Sequence, residues 1–191
     1  TAHNRASIRA ELDLPPEAVV VGNIGRFSAQ KNPLDWARAA GIIARACPEA
    51  YFVLVGDGPL RGEVEQALAQ EGFRERVRLT GLRRDVGRLL AAMDIFLITS
   101  LWEGLPRALV QAMAMGLPVV AYAADGIAEA VADGVNGYLA APGDFEGAAQ
   151  RCIQLVRHPE VRAQLGPQGV PYARQNFDLR PLIAQIAALS A

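Results

Sequence analysis

The chain has 191 residues, 51% hydrophobic and 20% charged, a balance that fits one globular domain and excludes a disordered chain. With 19 Lys plus Arg against 20 Asp plus Glu, no net field draws in nucleic acid or an anionic membrane. Cys47 and Cys152 alone are too few for a disulfide framework and match no metal-ligand spacing, so a reducing, cytoplasmic setting without a bound metal is expected.

Taken in chain order, Thr1 to Asp13 mixes charged and small residues and lacks the apolar core of a signal peptide. The start at Thr1 rather than Met points to a fragment or a processed product. No run approaches the roughly 18 apolar residues of a membrane span. Strands are predicted at Ala18 to Ile24, Tyr51 to Val55, Val77 to Thr80, Ile95 to Thr99 and Pro118 to Tyr122, with a weaker one around Tyr138. Helix spacing appears between them in Leu60, Val64, Ala67 and Leu68, in Val86, Leu89, Leu90 and Met93, and in Leu105, Ala108, Leu109, Ala112 and Met113. Asn32 before Pro33, and Gly58 before Pro59, read as helix starts, and Gly116 with Pro118 as a stop. After Tyr138 only helices are predicted: one capped by Asp144, and a last one carrying Leu182, Ile183, Ile186 and Leu189. The alternation predicts an α/β, Rossmann-like, doubly wound parallel sheet with helices on both faces and a helical C-terminal tail, one domain over residues 1–191.

In such a sheet ligands bind outside the carboxyl ends of the strands, so the loops there are where chemistry is sought. The loop after the first strand, Gly25 to Pro33, carries Arg26 and Lys31. A planar fork and a point charge beside a helix start suit a diphosphate, although for two cations taken alone the simpler reading is a solvated loop. The loop after the fourth strand, Thr99 to Pro106, runs directly into a helix. Gly104 leaves room for a ligand, Pro106 suits the first turn, and the amides of Arg107, Ala108 and Leu109 lack intrahelical acceptors. Glu103 precedes this anion site and Gln111 follows it on the helix. Neither the dinucleotide fingerprint nor the NTPase phosphate loop is present. The arginines at 74, 76, 78, 83, 84 and 88 are interrupted by Glu75 and Asp85 without interleaved aromatics, which argues against nucleic acid. Asp57 and Asp94 read as structural acceptors, and His3 and His158 as surface residues.

At these loops the sequence resembles the retaining glycosyltransferases of family 4, also called group 1, in the C-terminal donor-binding domain of the GT-B fold. The text that carries the resemblance is Val21-Gly22-Asn23-Ile24-Gly25-Arg26-Phe27 with Lys31, then Val55-Gly56-Asp57-Gly58-Pro59-Leu60-Arg61, Glu103-Gly104-Leu105-Pro106, and the run from Gln111 to Val120. The resemblance implies transfer of a sugar from a UDP- or GDP-sugar to an acceptor hydroxyl, with no metal and no cofactor. Arg26 and Lys31 correspond to the family's diphosphate-binding pair. Glu103 corresponds to the first glutamate of its paired-glutamate motif, near the donor sugar. Gln111 stands where the second glutamate binds the ribose, and an amide accepts there through one oxygen only. Leu82 and Arg83 correspond to the segment whose backbone lies against the base. Gly25, Gly104, Leu105, Pro106, Arg107 and Ala108 complete the implied donor site. The family's N-terminal acceptor-binding domain has no counterpart in the chain. The resemblance leaves any membrane contact to that domain, expects little or no transfer from this one alone, and leaves open a non-catalytic nucleotide-sugar-binding or interaction module.

Overall fold

The computed structural model describes residues 2–176; the predicted helix with Leu182 to Leu189 lies outside the described residues. The strands are β1 (Val19–Ile24), β2 (Ala50–Val55), β3 (Val77–Gly81), β4 (Ile95–Ile98), β5 (Val119–Tyr122) and β6 (Gly137–Ala140). The helices are α1 (Ala2–Glu11), α2 (Pro33–Ala46), α3 (Arg61–Gln70), α4 (Val86–Ala92), α5 (Arg107–Ala114), α6 (Asp125–Ala130), α7 (Phe145–Arg157), α8 (Pro159–Gln168) and α9 (Val170–Asn176). A single 3₁₀ turn, Arg74–Arg76, leads into β3. No helix among the described residues is long and apolar enough to cross a membrane.

All neighbouring strands are parallel, in the order β3-β2-β1-β4-β5-β6. The chain leaves β1 in one direction for β2 and β3, and returns to its other side for β4, β5 and β6. The order therefore reverses between β1 and β4, where an open α/β sheet forms its crevice. Strand alternation sends Val21, Phe52, Leu54, Leu97 and Tyr122 into one core with α2 and α7. Val20, Val53, Phe96, Ile98 and Val119 enter the other with α4 and α5. Both faces are covered, so β2, β4 and β5 are almost wholly apolar, as expected for a doubly covered parallel sheet.

The caps follow local chemistry. Asn32 takes the left-handed conformation (φ 45°) and accepts the Asp35 amide, with Pro33 in the first turn of α2. Asp144 accepts the Gly147 amide at 2.8 Å and starts α7. Gly116, at φ 72°, ends α5, and the Leu117 amide returns to the Ala112 carbonyl at 3.1 Å.

Several expectations need correction. Gly58 and Pro59 do not start α3, which begins at Arg61. The Gly58 amide is taken by the Asp57 carboxylate and the Leu60 amide by the Phe27 carbonyl, so this stretch belongs to loop packing. Pro106 sits one residue before the first turn of α5, as its N-cap. The hydrophobic pattern does not predict α1 or α6: α1 buries Ile8, with Leu12 just beyond its end, and α6 has six residues. Asp94 is structural as expected, accepting from Arg5, Arg9 and the Val20 amide at 2.5, 2.7 and 2.8 Å. Three of the clustered arginines are spent mainly on backbone: Arg74 donates to the Val77 carbonyl, Arg76 to the Ala44 and Cys47 carbonyls at the C-terminal end of α2, and Arg78 to Leu12 and Asp13.

Candidate functional site

Three loops at the carboxyl edge of β1, β2 and β3 are bonded to one another. The Gly25 amide donates to the Val55 carbonyl (2.9 Å), the Phe27 amide to Asp57 (2.9 Å) and the Gly56 amide to Gly81 (2.9 Å). This approach requires glycine at 56: its φ is 138°, and a Cβ there would lie 1.8 Å from the Gly25 carbonyl oxygen. The result is a cleft of about 570 Å³ lined by Ile24, Gly25, Arg26, Asp57, Leu82 and Arg83 among others, a volume suited to a small ligand. Gly25, Arg26, Leu82 and Arg83 therefore share one wall system. Arg26 is exposed and forms no side-chain hydrogen bond or ion pair among the described residues. Its guanidinium is free to meet an anion. The Arg83 guanidinium, in contrast, is bonded to Asp85 and Glu11, which raises its pKa, Asp85 first. What that turn offers a ligand is its backbone and the exposed Leu82.

The second group forms around the loop between β4 and α5. The Leu101 amide donates to the Gln30 carbonyl (2.9 Å), Gln30 Nε2 to the Trp102 carbonyl (3.0 Å), and Thr99 Oγ1 to the Asn32 carbonyl (2.9 Å). The loops after β1 and β4 are thus stitched together across the switch point. Within this seam Lys31 Nζ is ion-paired with the buried carboxylate of Glu103. Two of the expected site residues therefore neutralise each other. Pro106 caps α5 with no side-chain hydrogen bond, and the first amide of the region to find a backbone acceptor is that of Val110. The amides of Arg107, Ala108 and Leu109 remain as donors at the positive end of α5. Gln111 is half-buried on that helix without a side-chain partner among the described residues. Gly104 is exposed, and a Cβ placed on it would meet nothing within 4 Å among the described residues.

Sequence reasoning misses two supports. Gln30 ties the loops, and no local pattern marks it. Gly126, in the first turn of α6, donates its amide to the Glu103 carbonyl (3.2 Å), and a Cβ there would lie 1.7 Å from the Gly104 oxygen. A glycine opening a short helix beside the switch point is the available signal.

The strand order, the cleft at the carboxyl ends of β1, β2 and β3, and the loops stitched across the reversal define a Rossmann-like α/β domain with an anion-suited site. The chain belongs to the glycosyl transferases of group 1, whose family model matches residues 18–158. It is 38% identical over 166 residues to the Vi polysaccharide biosynthesis protein VipC/TviE of Salmonella typhi, covering 85% of this chain and 29% of that protein. It is 35% identical over 161 residues to the lipopolysaccharide core biosynthesis glycosyltransferase LpsE of Rhizobium meliloti, covering 84% of this chain and 46% of that one. The crystal structure of Anabaena HepE in complex with UDP and glucose superposes with a TM-score of 0.85 at 31% identity, over 100% of this chain and 53% of HepE. The chain spans about half or less of the length of these relatives.

Proposed function

We propose that the chain is the donor-binding half of a retaining, metal-independent glycosyltransferase that uses a UDP- or GDP-sugar, with an N-terminal acceptor-binding domain outside these residues and a cytoplasmic setting. The observation that carries this reading is the free Arg26 guanidinium in a cleft at the carboxyl ends of β1, β2 and β3, on the same loop as Lys31, which meets Glu103 across the switch point beside the open amides of α5. The UDP and glucose held by HepE support it.

In the reaction the bond between the anomeric carbon and the diphosphate oxygen breaks, a bond to the acceptor oxygen forms on the same face, and the acceptor hydroxyl gives its proton to the departing diphosphate. Charge develops on the departing diphosphate. Arg26, Lys31 and the amides of Arg107, Ala108 and Leu109 stabilise it, the kind of preorganised electrostatics that lowers such barriers most. Glu103 lies beside the donor sugar, Gln111 meets the ribose, and the backbone of Leu82 and Arg83 meets the base. Holding the acceptor against the anomeric carbon can supply about 7–11 kcal/mol of barrier reduction, so the 191-residue chain alone is expected to bind nucleotide but transfer little sugar. Calorimetry with UDP and GDP tests the reading, and a folded chain that binds neither refutes it. Full turnover in excess chelator by the complete enzyme is expected, and a strict demand for a divalent ion would remove the metal-independent part.

Gln111 favours keeping the second reading, a nucleotide-sugar-binding module without transfer, because the resemblance expects a carboxylate there. Gln111→Glu is expected to preserve the melting temperature, since the side chains are nearly isosteric and both suit a helix. Two carboxylate oxygens can accept from both ribose hydroxyls, so nucleotide affinity should hold or rise. If Gln111→Ala leaves affinity unchanged while Arg26→Ala abolishes it, the ribose is held elsewhere and the module reading gains.

A further inference from the structure

The turn that closes the cleft between β3 and α4 is held from outside by a ring of four alternating charges. Arg83 grips Asp85 with two bonds, Nε to Oδ1 at 2.8 Å and Nη2 to Oδ2 at 2.6 Å. The same Nη2 reaches Glu11 Oε1 at 2.8 Å. Arg88 Nη2 lies 2.7 Å from the other Glu11 oxygen, and Arg88 Nη1 returns to Asp85 Oδ2 at 3.4 Å. Bonding to Arg83 lowers the pKa of both Glu11 and Asp85, so both carboxylates are charged at neutral pH. Each carboxylate is shared by both guanidinium groups, and the ring is neutral overall.

Its members come from three places. Arg83 is in the cleft-lining turn, Asp85 caps α4, Arg88 is on α4, and Glu11 is the last residue of α1. Neither α1 nor α4 has a residue in the cleft wall, and of the four residues Glu11 alone lies before β1 in the chain. Helix α1 is itself fixed by Ile8 in the core and by Arg9, which bonds Asp94 and the Ala18 and Ala92 carbonyls. A rigid helix behind the sheet thus reaches forward, through one side chain, to the turn that presents Leu82.

We propose that Glu11 is a positioning residue for nucleotide recognition, holding the Leu82–Arg83 turn against the base through Arg83 and Arg88. The proposal rests on the donor-site reading above and adds to it a residue that touches no ligand. Loss of Glu11 leaves Arg83 and Arg88 sharing one carboxylate, and the turn loses its tie to α1. The electrostatic and positional consequences have opposite signs. One extra positive charge near the site favours a diphosphate, while a displaced turn disfavours the base.

The test is calorimetry on the 191-residue chain with UDP, GDP and inorganic pyrophosphate, comparing wild type, Glu11→Gln and Asp13→Asn. Asp13 is a control with the same charge change: it is exposed and pairs with Arg78 outside the ring, and its left-handed φ of 49° suits Asn. Glu11→Gln is expected to weaken the tighter-binding nucleotide about threefold to tenfold, within the span of coupling in a shared ion-pair network. Pyrophosphate affinity should stay level or rise, and Asp13→Asn should match wild type. An unchanged or tighter nucleotide affinity in Glu11→Gln overturns the proposal and leaves the donor-site reading standing, as does an equal loss for nucleotide and pyrophosphate. A folded wild-type chain that binds no nucleotide overturns both.

Discussion

Lys31→Ala is expected to weaken UDP binding by about 1.5–3 kcal/mol, the range for a hydrogen bond to a charged group, and Glu103→Gln is expected to strengthen it. The two signs follow from the ion pair between these residues. In the proposed donor site, an entering diphosphate competes with Glu103 for the same ammonium group. Removing Lys31 deletes the attraction and also leaves the Glu103 carboxylate, buried in the seam, facing the incoming anion without its partner. Both changes act in the same direction. Glu103→Gln removes the competitor and one negative charge. At an effective dielectric near 20 and a separation of roughly 8 Å, that repulsion is about 2 kcal/mol. In the complete enzyme the same variant should lose transfer, because the proposed function puts Glu103 beside the donor sugar. Tighter binding with slower turnover separates this role from a purely structural ion pair, whose loss would loosen the seam and reduce both. Equilibrium titration with UDP and steady-state rates measure the two effects, and weaker UDP binding by Glu103→Gln would remove the competition argument.

The parts of the fold legible in the sequence are those set by local chemistry. β2, β4 and β5 are short β-branched or aromatic runs whose observed spans lie within a residue of the expected ones, because burial on both faces leaves little but apolar side chains to choose from. The cap of α2 by Asn32 and the stop at Gly116 are legible for the same reason. The loop stretches bearing Arg26, Lys31 and Glu103 can be assigned to one edge of the sheet from the strand rule alone. What the pattern does not carry is which loop bonds to which. The Gly56-Asp57-Gly58-Pro59 run reads locally as a helix start because Pro after Gly has that meaning; its structural use is to admit the backbone of Gly25 and Phe27, a partner distant in the chain. The pairing of Lys31 with Glu103 and the role of Glu11 are likewise set by topology. Helix α1 is not legible because, Ile8 apart, its hold on the domain is polar: Arg9 is almost fully buried and satisfied by carbonyls and Asp94. Hydrophobic periodicity is blind to such a hold.

Gly126→Ala is expected to destabilise the domain by about 1–3 kcal/mol, the usual cost of overpacking, and to weaken nucleotide binding as well. The cause is contact rather than backbone strain, since the added Cβ would lie 1.7 Å from the Gly104 carbonyl oxygen, a backbone atom with no rotamer by which to move aside. Either α6 or the Glu103–Gly104 loop must shift, and the amide of Gly126 that holds the Glu103 carbonyl shifts with it. Displacing that loop pulls Glu103 from Lys31 and turns the open end of α5 away from the ligand. For a chain of this size the stability loss reads as a fall of roughly 3–10 °C in melting temperature. Gly104→Ala is the informative companion, because nothing among the described residues lies within 4 Å of its Cβ position. That variant should melt like wild type, so any loss of UDP affinity it shows reports direct approach of the ligand to Gly104 rather than loop displacement. Wild-type melting and wild-type UDP affinity in Gly126→Ala would mean that α6 yields freely, and that the loop bearing Glu103 is positioned by its bonds to Gln30 and Lys31 alone.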